Sequence, residues 1–417
     1  MQIIVVAPEA TAVTLTSNAR LTREICGISL LERTLLTAQR AGASEVLLVW
    51  PESMPTEVAE TVLHSQRIQK KNNVRLLQVK SFDPNQPSSW SALQNQLEDR
   101  FVWLPWNWVT NARLLANLPD WGQSPTNWAV PTWISKNIVA LGRIFQPQTK
   151  PLPEGVAVTS DETAAAAERF LVARSGKVSD GIHSSFNRRL CRPAVRWLTH
   201  TPVTPNAVTF GGVLVSIVAA IAFAQGTYWW FVAGALLFFI AGLFDEIDGM
   251  LARIKFADSP FGTYLESFGD SLSYVLLFGG ITIGLHRQHG VSELWVGAAL
   301  LIGTILALVV TTLQRKRAAS ADRPTEYLGN FYRKLDQDSS NWISHAVRHA
   351  QGFQRRGIMI HYVVLLTVLG GVPVIFYLAT LGSHLTWTLA LYYNHRFFKQ
   401  APPRISLSEI HASQEAL

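Results

Sequence analysis

The chain has 417 residues, 48% of them hydrophobic, with 36 Lys and Arg against 29 Asp and Glu for a net charge of +7. That length accommodates two domains. Two distant cysteines, Cys26 and Cys191, with neither CxxC nor metal-ligand spacing, argue against a disulfide-stapled scaffold and a cysteine metal site. The first two hundred residues read as soluble and most long apolar runs follow, with basic residues clustered beside them, so the positive charge points to a membrane surface and not to nucleic acid.

In chain order, MQIIVVAPEA lacks a basic leader and a long apolar core, and reads as a buried strand instead of a signal peptide. IIVVA and EVLLVW are short apolar runs suited to a parallel sheet covered on both faces, and ISLLERTLLTAQRAGA between them has helical periodicity ending at Gly42. This β-α-β start predicts an α/β fold over residues 1–150. The stretch CGISLLERTLLTAQRAGASEVLLV resembles the early part of sugar-phosphate nucleotidyltransferases, in particular the cytidylyltransferase half of bifunctional inositol-phosphate cytidylyltransferase/di-inositol-phosphate-phosphate synthases. The resemblance implies a Rossmann-like nucleotidyltransferase-type sheet. It also implies a Gly-rich phosphate loop and a metal-binding Asp, and neither is found: APEATAVTLTSNARL has no glycine, and Leu104, Pro105, Trp106 and Asn107 stand where the carboxylate is expected. The expectation is a degenerate domain kept for folding, regulation or partner contact.

FQPQTKPLPEGVAV reads as a linker, DETAAAAERFLVARSGK as a helix with Asp161 as N-cap and Gly176 as C-cap. VSDGIHSSFNRRLCRPAVRWLTHTPVTPN follows as a basic amphipathic segment, with Arg188, Arg189, Arg192 and Arg196 set to face headgroups and Phe186, Leu190, Trp197 and Leu198 to dip into the interface. These assign 151–203 to a linker helix and a juxtamembrane helix. Residues 204–398 are expected to form an all-α domain of six transmembrane helices. Their apolar cores are AVTFGGVLVSIVAAIAFA, WWFVAGALLFFIAGLF, a third from Gly262 to Leu285, LWVGAALLIGTILALVVTTL, MIHYVVLLTVLGGVPVIFYLATL and HLTWTLALYYNHRFF. Residues 399–417 form a tail. Arg253 and Lys255, the basic loop from Arg315 to Arg356, and Arg396, Lys399 and Arg404 fall on one side, with little but Arg287 opposite. The positive-inside rule then places both termini and the acidic segment Asp245–Asp270 in the cytoplasm of a multi-pass inner-membrane protein.

That segment, DEIDGMLARIKFADSPFGTYLESFGD, sets Asp245 and Asp248 three apart and Glu266 and Asp270 four apart, each pair on one helix face. Carboxylates at the ends of membrane-length apolar runs need compensating cations. With no His or Cys among them, they offer hard oxygen ligands suited to Mg²⁺ or Mn²⁺. The alternative is a solvated helix end paired with Arg253 and Lys255.

The same residues, with Gly249, Ala252-Arg253 and Gly262, stand at the intervals of the CDP-alcohol phosphatidyltransferase signature, D-x2-D-G-x2-A-R-x8-G-x3-D-x3-D, with Glu266 in place of its third aspartate. The resemblance implies that an acceptor hydroxyl attacks a CDP-linked alcohol and releases CMP, with two metal ions at the site. Carried over by position, Asp245, Asp248, Glu266 and Asp270 are metal ligands and Asp270 is also the general base. Asp245, Gly249, Ala252, Arg253 and Gly262 then meet the CDP moiety. Arg315, Lys316 and Arg317 are either an acceptor-phosphate site or a positive-inside anchor. The donor expected is CDP-diacylglycerol, giving a phospholipid. A soluble donor such as CDP-inositol is the alternative within the class, although 16% charged residues do not match a chain from a hot environment. A catalytically inactive membrane scaffold is the alternative outside it. A homodimer through the membrane helices is the implied assembly.

Overall fold

A computed structural model describes residues 1–8, 21–84, 86–91, 93–118, 130–136, 154–176, 182–318 and 356–397. The glycine-free stretch after the first strand, most of the proline-rich linker, the long basic loop beyond 318 and the tail lie outside them. The chain divides into two compact units. One is Met1–Ser179 with Arg188–Pro205 and Gly249–Asp258; the other is Asp180–Asn187, Asn206–Asp248 and Ser259–Leu417.

In the first unit, strands β1 (Gln2–Val6), β2 (Glu45–Pro51), β3 (Val74–Val79), β4 (Arg100–Pro105) and β5 (Thr132–Ser135) form one sheet in the order β3-β2-β1-β4-β5. The first four run parallel and β5 adds an antiparallel edge. Two-residue periodicity explains the apolar runs. Ile3, Val5, Val46, Leu48, Val102 and Leu104 face one buried layer, while Ile4, Val6, Leu47, Val49, Phe101 and Trp103 face the other. Helix α1 (Leu30–Arg40) packs on the first layer through Leu31 and Leu35, capped by Ser29 and closed by Gly42 at φ 89°. The α/β expectation is met, including a mostly parallel sheet buried on both sides.

Helix α2 spans Asp161–Ala173, but its N-cap is Ser160, which forms a capping box with Thr163, and its C-cap is Arg174. The expected caps, Asp161 and Gly176, are displaced because the hydroxyl one residue earlier accepts the Thr163 amide, leaving Asp161 in the first turn beside the positive end of the dipole. In α3 (Ile182–Thr199), Phe186, Leu190 and Trp197 are exposed along one face, with Cys191, Val195 and Thr199 buried on the other. Arg189 and Arg196 are exposed as expected, whereas Arg188 is 8% exposed, because it falls on the buried face beside Cys191.

The second unit is helical. Helices α4 (Pro205–Ala224), α5 (Tyr228–Ile254), α6 (Pro260–His289), α7 (Ser292–Ala318) and α9 (Val372–Phe397) are long and apolar enough to cross a membrane, and α8 (Arg356–Val368) is a 13-residue apolar helix. Six transmembrane helices were expected; among the described residues five are long enough to span, and α8, at 13 residues, is shorter than a span, so the last two expected spans are not found as drawn. Gly370 at φ 76° ends α8 where one uninterrupted span was expected, and α9 runs unbroken through the expected boundary near His384. Gly370-Gly371 followed by Pro373 stops one helix and starts the next, while the polar residues His384, Thr386 and Thr388 are absorbed by bonds to main-chain carbonyls.

Helices α4 and α6 cross in backbone contact. A β-carbon at Gly280 would stand 2.5 Å from the Ala220 carbonyl oxygen, and one at Gly284 would stand 2.2 Å from that of Phe223. Ser216 and Ser273 share a buried hydroxyl bond of 3.0 Å in the same seam. Gly-x-x-x-Ser at 269–273 and Gly-x-x-x-Gly at 280–284 bring the two backbones together.

Candidate active site

At one end of that seam, Asp245 and Asp248 project from the C-terminal turns of α5, and Asp270 from α6. With Thr209, Gly212, Val213, Ala241, Gly269 and Ser273 they line a pocket of about 10 Å³, room for one water-sized or ion-sized occupant. The close crossing shapes it: a β-carbon at Gly269 would meet Val213 and Thr209 at 3.3 and 3.5 Å. Thr209 donates its hydroxyl to Asp248 Oδ2 at 2.5 Å, and Asp248 is 3% exposed. A hydrogen bond to a charged group contributes about 1.5–3 kcal/mol, so Thr209 sets the direction in which this carboxylate presents its other oxygen.

Of the expected ligands, the structure brings Asp245, Asp248 and Asp270 to one pocket. Glu266, half-buried on α6, is not among the lining residues. Among the described residues no set of three or more Asp, Glu, His or Cys side chains is drawn together at metal-binding distances. The donor set is nonetheless of one chemical kind, three carboxylates and two hydroxyls with no side-chain nitrogen or sulfur, and it fits Mg²⁺ or Mn²⁺.

The remaining signature residues have local structural roles. A β-carbon at Gly249 would stand 3.3 Å from Arg253 Nη1, so glycine leaves room for the guanidinium to lie back along α5. Arg253 Nε donates to the Ser175 carbonyl. Ala252 is half-buried one residue before it. Gly262 donates its amide to the N-cap Ser259 at 3.0 Å, and a β-carbon there would stand 3.2 Å from Asn206 Oδ1. Lys255 donates to the Thr201 and Val203 carbonyls at 2.6 and 3.0 Å, and burial lowers its ammonium pKa. Arg315, Lys316 and Arg317 fall on the last turn of α7, their side chains outside the described residues.

Sequence reasoning missed Thr209, Gly212 and Ser273. The small-residue spacing of α6 was the signal available for the crossing, and nothing local marks Thr209, 39 residues from its partner.

In the first unit a separate cavity of about 460 Å³ opens at the carboxyl ends of β1 and β4, where the strand order reverses. Ala7, Phe82, Asp83, Trp103, Trp106 and Asn107 line it, and no Lys or Arg is among the described lining residues.

Residues 202–337, about one third of the chain, match the family described as CDP-alcohol phosphatidyltransferase. The chain therefore carries a domain of this family in its C-terminal half, on the helices that build the carboxylate pocket. It is 30% identical over 139 residues to cholinephosphotransferase 1 of Gallus gallus, covering 30% of this chain and 41% of that protein. It is 27% identical over 136 residues to phosphatidylinositol phosphate synthase of Mycolicibacterium smegmatis, covering 32% of this chain and 59% of that one. With archaetidylinositol phosphate synthase of Methanothermobacter thermautotrophicus the identity is 36% over 77 residues, covering 18% and 38%. The chain thus spans less than two thirds of each of these relatives.

Proposed function

We propose that the chain is a membrane CDP-alcohol phosphotransferase whose chemistry takes place at the Asp245–Asp248–Asp270 pocket. The observation that carries this reading is the convergence of three signature carboxylates from two helices on one pocket inside the matched family region. The acceptor hydroxyl oxygen bonds to the phosphorus that carries the donor alcohol. The bond from that phosphorus to the bridging oxygen breaks, and CMP leaves with the electron pair. Asp270 takes the hydroxyl proton. Asp245, Asp248 and Asp270, with Glu266 from the same helix as Asp270, would hold Mg²⁺ or Mn²⁺, which would supply positive charge to offset that of the pyrophosphate and the departing CMP. Thr209 keeps Asp248 aimed into the pocket. Arg253 and Lys255 belong to the cytoplasmic side by charge placement, where a soluble acceptor or nucleotide arrives.

The donor we favour is CDP-diacylglycerol, which gives a phospholipid. The names of two relatives put an inositol phosphate first among the acceptors to try. The α/β unit, over residues 1–150, acts as a degenerate nucleotidyltransferase-like domain.

The test is CMP release by the full chain in detergent with CDP-diacylglycerol or CDP-inositol and a panel of alcohol acceptors. Release with CDP-diacylglycerol supports the lipid product, and release only with CDP-inositol moves it to a solute. No release with any donor leaves an inactive scaffold. Glu266→Ala is expected to abolish turnover and Glu266→Asp to keep it; full activity in the alanine variant removes Glu266 from the ligand set.

A further inference from the structure

Helix α5 ends in a turn that the α/β unit grips. Phe256, two residues past the helix, has φ 53° and stands at the left-handed position of a Schellman-type ending, in which the Ala257 amide donates to the Ala252 carbonyl at 2.9 Å. Its ring packs against the apolar cluster formed by the sheet, α1 and their neighbours and is faced by two guanidinium groups of α1, Arg40 at 4.6 Å and Arg33 at 5.4 Å. Arg33 is 2% exposed, with Nε on the Ile25 carbonyl at 3.0 Å and no hydrogen-bond partner for Nη2 among the described residues, so the ring is a counterpart to a buried cation. Arg40 does more. It pairs with Asp258, and its Nη1 donates at 3.3 Å to the carbonyl of Arg253 in the last turn of α5. A cation at the negative end of the helix dipole also favours the helical state of that turn. Arg40 therefore adds to the local cap a donor and a cation from a distant part of the sequence.

We propose that Arg40 is a positioning residue for the transferase, fixing with Phe256 the end of the helix that carries Asp245 and Asp248. The inference rests on the function proposed above. It gives the α/β unit a task that needs no nucleotidyl transfer: it holds the segment Ala252–Asp258 so that α5 cannot fray toward its carboxylates.

The experiment uses the full chain in detergent and compares wild type, Arg40→Ala and Arg40→Lys by amide hydrogen exchange of residues 253–258 and by kcat and KM for CMP release. Arg40→Ala is expected to speed exchange in that turn about tenfold or more, with strand β1 unchanged. It is expected to lower kcat by about tenfold to a hundredfold, since small misplacements of catalytic groups have effects of that size, with donor KM within about threefold. Arg40→Lys, which keeps a cation and a donor, is expected to recover most of both. Unchanged exchange in Arg40→Ala overturns the clamp. Faster exchange with unchanged kcat, or failure of lysine to recover kcat, reduces it to a fold contact and overturns the positioning role. Absence of CMP release by wild type overturns the transferase assignment itself, and with it the positioning role, whatever exchange shows.

Discussion

At the scale of single residues, Thr209 and Asp248 are the pair on which the pocket turns. Thr209→Val keeps the shape of the side chain and removes the donor. The loss of a bond to a charged group, about 1.5–3 kcal/mol, corresponds to roughly ten- to a hundredfold in CMP release, with Thr209→Ser near wild type. Equal activity in the valine variant would show that Asp248 is oriented by something else. Cys26 gives a test of the first unit that is independent of catalysis. Burial, ahead of any nearby charge, raises its thiol pKa from 9.0 to about 11. The folded state then holds a proton that the unfolded chain has lost between about pH 9 and 11. Stability is therefore full below pH 9 and falls as pH rises through that window, by up to about 1.4 kcal/mol per pH unit. Unfolding of wild type and Cys26→Ser across this range measures it, the serine variant lacking that slope. The spacing of Asp245, Asp248 and Asp270 was legible in the sequence because each helix reports its own face. Thr209 was not, since its partner lies on another helix, and the burial of Arg188 was hidden among four arginines of one amphipathic segment.

At the scale of elements, the α4–α6 crossing is what makes a pocket out of two acidic helices. Gly284→Leu would drive a side chain into the Phe223 carbonyl, and Gly280→Leu into that of Ala220. Either is expected to lower stability by about 1–3 kcal/mol and to abolish turnover by separating Gly269 from Thr209. Gly279→Ala, where no described residue lies within 4 Å of the added carbon, is expected to be neutral or slightly stabilising. Thermal unfolding in detergent beside CMP release checks both, and a tolerated leucine at Gly284 would contradict the crossing. The long apolar runs announced the helices but not where the last two divide. A Gly-Gly-x-Pro sequence inside an apolar stretch permits either a kinked span or a break, and Gly370 in the left-handed region settles it as a break.

At the scale of the whole molecule, a soluble-looking α/β part and a family domain of apolar helices share one chain, as the uneven placement of apolar residues led one to expect. The parallel sheet was readable because strands buried on both faces are continuously apolar, as Ile3 to Val6 are. The grip of Arg40 on Phe256 was not, because residues 216 positions apart in sequence leave no periodic trace.

The central claim, that the carboxylate pocket releases CMP with the help of a divalent cation, is tested most directly by one titration. CMP release from CDP-diacylglycerol and an inositol phosphate acceptor is followed against Mg²⁺ in wild type and in Asp248→Asn. The account predicts activity that appears with the metal, disappears with a chelator and is lost in the asparagine variant. Metal-independent release, or equal release by Asp248→Asn, would contradict it.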